Sequence, residues 1–85
     1  MGFAPDIKVR HEKGGCVIFD TLREKVFVAN ETGARIVEAL NEGLTPEGIA
    51  ERLGEEYDQS PEMIGREVRL FLNSLRDNGI ALPGE

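Results

Sequence analysis

Two helix-opening signatures stand close together in the second half of the chain, Thr45-Pro46-Glu47 and Ser60-Pro61-Glu62, and they dictate most of what it can fold into. Each offers a hydroxyl that accepts an orphan backbone N–H and a proline whose fixed φ suits the first helical position. Each also has a carboxylate near the positive end of the helix. The first opens a helix whose Ile49, Ala50, Leu53 and Tyr57 share a face. The second follows Tyr57 by a short polar turn. Its helix is expected to run to Asn78, where Gly79 stops it, with Ile64, Val68, Phe71, Leu72 and Leu75 as the buried stripe. Two helices joined this tightly after another helix make a helix-turn-helix.

The preceding helix starts at Asn30, a good N-cap, and runs from Glu31 to about Asn41. Gly33, Ile36, Val37 and Leu40 recur at the spacing of one buried stripe, and Gly43 ends it. Upstream, β-branched and aromatic residues cluster as three short strands, Ile7 to His11, Cys16 to Asp20 and Lys25 to Ala29. They are separated by Gly14-Gly15 and by Asp20-Thr21-Leu22-Arg23-Glu24. Only turns fit between them, so they pair antiparallel as a meander with one face covered by the helices. The expected fold is α+β and winged-helix-turn-helix-like: a three-stranded antiparallel β-meander followed by three helices, forming a single domain over residues 1–85.

Charge and composition exclude several functions. A 40% hydrophobic, 31% charged chain should fold. Its net charge of −6 repels phosphate backbones and leaves little Lys and Arg for counterion release, which disfavours nucleic acid. Cys16 is the single cysteine and His11 the single histidine. There is thus no disulfide framework and no self-sufficient zinc site, and the compartment is expected to be cytoplasmic. The N-terminus has no basic-then-apolar signal, and Asp6 stands where a myristoylation signal wants Ser or Thr, so no membrane attachment is expected. His11 has no nucleophile partner identifiable by spacing, and Gly14-Gly15 lacks the context for cradling phosphate. Glu47, Glu51, Glu55, Glu56 and Asp58 read as a solvated face. No catalytic residue, metal or cofactor is expected, and the chain is not expected to be an enzyme.

What remains is a binding surface. In a DNA reader the last helix would be the recognition helix, but Arg66, Arg69 and Arg76 are cancelled by Glu62, Glu67 and Asp77, and Arg66 is turned away from Arg76. On the same wheel Met63 and Leu70 lie about 100° to 120° from the main stripe, with Glu67 and Ser74 near them. This second strip either widens the core face or forms one wall of a groove. The strand Lys25-Val26-Phe27-Val28-Ala29 ends the sheet with no proline to blunt its edge. An extended peptide can add there as a further strand, or a second copy can pair with it in a homodimer.

The run Val26-Phe27-Val28-Ala29-Asn30-Glu31-Thr32-Gly33-Ala34-Arg35-Ile36-Val37-Glu38-Ala39-Leu40 resembles the strand-to-helix signature of the PqqD-like family. Leu44-Thr45-Pro46-Glu47-Gly48-Ile49-Ala50-Glu51-Arg52-Leu53 and Glu56-Tyr57-Asp58 resemble its second helix. Glu67-Val68, Phe71-Leu72, Leu75 and Gly79-Ile80 resemble its last. The chain differs from the strict quinone-pathway pattern at Asp20-Thr21-Leu22-Arg23, which has no Pro-Glu turn, and at Gly33, where alanine is usual.

The resemblance implies a recognition element that binds the leader of a ribosomally made precursor peptide and presents it to a modifying enzyme, radical S-adenosylmethionine or other. It implies a leader held as an added strand on Lys25, Val26, Phe27, Val28 and Ala29, against the last helix at Met63, Glu67 and Leu70. By the wheel, Met63, Leu70 and Ser74 line the side-chain pocket, and Arg66 and Glu67 orient polar leader residues at its rim. The rival expectation is a winged-helix transcription regulator, which would bind duplex DNA in a salt-sensitive way.

Overall fold

The three capping residues act as their chemistry requires. In the computed structural model, which describes residues 2–82, the Asn30 carboxamide accepts from Gly33 N–H at 2.9 Å. The Thr45 hydroxyl accepts from Gly48 N–H at 3.1 Å, and the Ser60 hydroxyl from Met63 N–H at 3.3 Å. These caps open α1 (Glu31–Asn41), α2 (Pro46–Glu56) and α3 (Pro61–Asp77). Tyr57 and Asn78 are C-caps just outside the last two helices. Gly43 and Gly79 follow with φ of 92° and 72°, the left-handed conformation in which a Cβ is strained.

Ahead of the helices come β2 (Ile7–Glu12), β3 (Gly15–Asp20) and β4 (Lys25–Asn30), an antiparallel sheet in the order β2-β3-β4. Register follows from the turns: Glu12 faces Gly15 and Asp20 faces Lys25. β3 alternates strictly, with Cys16, Ile18 and Asp20 buried. Asp20 is the buried polar residue of the described chain. Its carboxylate accepts from the N–H groups of Leu22 and Arg23 at 3.2 and 3.0 Å, which shapes the β3–β4 turn.

A second sheet, not expected from the sequence, joins the chain ends: β1 (Gly2–Phe3) pairs antiparallel with β5 (Ala81–Leu82). Two-residue strands carry no alternation to read. They form because α3 returns the chain to the start, where Ala4 N–H donates to Ile80 C=O at 2.8 Å.

The core lies between the inner face of the sheet and the helices, with Ile18, Ile36, Val37, Ile49, Leu53, Val68 and Leu75 fully buried. The α+β meander-plus-three-helix expectation holds. One of the two readings of the Met63–Leu70 strip does not. Met63 is 68% exposed and Leu70 65%, so neither widens the core.

Cys16 is buried on β3, and desolvation pushes its thiol pKa up. A raised pKa keeps the thiol protonated at neutral pH. Dithionitrobenzoate is therefore expected to leave the folded protein unmodified and to titrate one thiol in guanidinium. Rapid reaction under native conditions would contradict the burial.

Candidate functional site

Which backbone groups of β4 are free follows from the turns. The two-residue turn Lys13-Gly14 is closed by the pair Glu12 and Gly15, so on β3 residues 15, 17 and 19 bond toward β2. Residues 16, 18 and 20 then bond toward β4, to Ala29, Phe27 and Lys25. The N–H and C=O groups of Val26 and Val28 consequently point away from the sheet, along its open edge. Their side chains are 60% and 73% exposed. Asn30 starts α1 with its carbonyl, so Val26 and Val28 carry both kinds of free group and Asn30 adds only an outward N–H.

The other edge, β2, is of different character, with Lys8, Arg10, His11 and Glu12 exposed along it. Charges of this kind blunt an edge against pairing. Arg10 also pairs with Glu12 at 3.1 Å and covers the Phe19 ring at 5.3 Å.

Beside the free edge, between the start of α1 and the middle of α3, an open cleft of about 410 Å³ is lined by Asn30, Thr32, Gly33, Ile36, Glu67, Leu70 and Phe71. A smaller hollow of about 40 Å³ at the other end of β4 is lined by Asp20, Lys25, Val26, Phe27, Asn78 and Ile80. Phe27 and Phe71 stand between the two, edge to face with ring centres 6.1 Å apart. β4 and α3 thus meet through this aromatic pair and leave a groove on either side of it. The Glu67 carboxylate is in no ion pair among the described residues, which leaves one uncompensated negative charge on the α3 wall beside Leu70 and Phe71, facing the polar Asn30 and Thr32 of the lining.

Of the residues expected from the sequence, Glu67 and Leu70 line the cleft, and Lys25, Val26 and Phe27 line the hollow. Val28 offers its backbone at the edge. Ala29 is buried against α1, and Met63, Arg66 and Ser74 line neither space. Asn30, Thr32, Gly33, Ile36 and Phe71 were not expected at the site. A signal did exist for the first three, since Asn30 directly continues the edge strand and the first turn of α1 must begin where β4 ends. Ile36 and Phe71 lie on the buried stripes of their helices; Ile36 is buried beneath the cleft, whereas Phe71 is half-open, a difference that a helical wheel does not show.

α3 does not present a basic face. Arg69 shares its hollow with Glu47, Glu51 and Glu62 on the side away from β4, and Arg76 donates to Asn73 at 2.8 Å. The DNA-binding alternative has no support in this surface. Among the described residues no group of three or more His, Cys, Asp or Glu is placed to hold a metal, and no helix is long and apolar enough to cross a membrane.

The family described as coenzyme PQQ synthesis protein D (PqqD) matches residues 15–81. Two solved structures share the fold. Lasso peptide synthetase B1 complexed with the leader peptide is 32% identical, with 95% of each chain covered and a TM-score of 0.85. TbiB1 in complex with the TbiA(beta) leader peptide has a TM-score of 0.91 over 100% of this chain and 99% of that one, at 24% identity. No curated protein matches the chain significantly.

Proposed function

Because the chain belongs to the PqqD family, matched from Gly15 to Ala81, we propose that it captures the leader segment of a ribosomally made precursor peptide and presents it to a modifying enzyme. The observation that carries this reading is the open edge of β4 lying directly beside the cleft against α3. An added strand takes its register from the free backbone of Val26 and Val28. Alternate side chains then point toward the cleft, where Leu70 and Phe71 supply apolar contact above the buried Ile36, and Glu67 a rim charge. The leader seen with lasso peptide synthetase B1 supports the choice of ligand.

The domain contributes no chemistry of its own. It raises the effective concentration of the peptide near the active site of a partner, which a modest and reversible affinity serves best. The partner is a radical S-adenosylmethionine or other peptide-modifying enzyme, and the setting is the cytoplasm, where ribosomal precursors are made.

The test is a heteronuclear NMR titration of the labelled protein with a peptide selected against it from a random display library. Amides from Val26 to Asn30 and from Glu67 to Phe71 are expected to shift together. Shifts confined to β2, or to the α2 side of α3, would place the peptide elsewhere and overturn strand addition on β4.

A further inference from the structure

Gly33 sits in the first turn of α1, inside the cleft lining, and faces the Phe71 ring. A Cβ at this position would lie 2.7 Å from Cε1 and 3.0 Å from Cζ of Phe71, and 3.0 Å from the Ala29 Cβ. The ring therefore occupies space that any side chain at position 33 would claim. The ring also packs edge to face on Phe27, with centres 6.1 Å apart. Phe71 is half-buried and lines the cleft.

We infer that Gly33 sets the depth of the leader cleft by giving the Phe71 ring its resting place, and so selects a bulky, apolar-bodied side chain at one position of the leader. This inference rests on the leader-capture reading and adds to it a specificity residue that touches the peptide through another. With the ring drawn back against α1, the 410 Å³ space stays open over Ile36 and Leu70, large enough for an aromatic or long aliphatic group. A methyl at position 33 pushes the ring outward. The closest atoms are the far end of the Phe71 side chain, which can turn, while the Ala29 Cβ at 3.0 Å has to give by a few tenths of an ångström; alanine is also a better helix former than glycine, so the variant is expected to fold. The cleft is lost, because the displaced ring fills it.

The experiment is selection of a random peptide display library against the full chain and against Gly33→Ala, Phe71→Leu and the double variant. The wild type is expected to enrich a large apolar residue at one peptide position. Gly33→Ala should exchange it for a small one and bind the wild-type peptide about tenfold or more weakly, the scale of one methylene misfitting a hydrophobic pocket. Phe71→Leu should restore the large residue in the Gly33→Ala background and, alone, admit a longer one. Unchanged preference and affinity in Gly33→Ala overturn the inference while leaving leader capture intact. Should that variant fail to fold, unchanged preference in Phe71→Leu does the same. If the wild type enriches no peptide at all, leader capture falls, and this inference with it.

Discussion

Val28→Pro is expected to weaken peptide binding by about a hundredfold, close to 3 kcal/mol, while leaving the domain folded. Proline removes the Val28 N–H, the central donor on the free edge of β4, and leaves the carbonyl that it served without a partner. Losing a hydrogen bond costs about 0.5–1.5 kcal/mol, and an orphaned polar group in a desolvated contact about 1–3 kcal/mol. The ring adds bulk where the added strand must approach. The fold is spared because this N–H takes no part in the β3–β4 ladder and the side chain is 73% exposed, the situation in which edge strands accept proline. Fluorescence anisotropy with a library-selected peptide, alongside thermal melts, reads both effects. Val28→Thr keeps the donor and should bind within a few-fold of wild type. Tight binding by Val28→Pro would mean that β4 is not where the peptide pairs.

Leu53→Ala is expected to cost about 3 kcal/mol of stability, within the 2–5 kcal/mol typical of emptied leucine sites. Leu53 is fully buried on α2, where this helix packs against α3. Neighbouring backbones are held by the caps at Thr45 and Ser60, so collapse around the cavity is limited. A domain of this size has roughly 4–13 kcal/mol in total, so the melting temperature should fall by about 12–24 °C. Met63→Ala on α3 removes a comparable side chain that is 68% exposed, and it should change stability by less than about 0.5 kcal/mol. Differential scanning calorimetry separates the two. Equal effects would mean that Met63 is buried in solution, which would argue for a second copy of the chain covering the strip. Well below its melting point Leu53→Ala should still bind peptide, because Leu53 lines neither the cleft nor the hollow.

How much of this was legible depends on how far each signal reaches along the chain. The caps at Asn30, Thr45 and Ser60, the prolines at 46 and 61 and the glycine stops at 43 and 79 act within one helical turn. The sequence alone therefore determined the three helices and their order. The meander was equally local, because its turns leave neighbouring strands no other partner, and β4 was recognisable as an unblunted edge. Tertiary structure decided the rest. The β1–β5 pair exists because α3 brings distant ends together, which no short pattern records. The strip of Met63 and Leu70 was balanced between core and groove on the helical wheel. Packing decided for surface, since both side chains stand exposed on α3. Gly33 read as one more residue of a buried stripe until its contact with Phe71 gave it a role in shaping the cleft. A groove is a place where packing stops, and where packing stops is set by elements far apart in sequence.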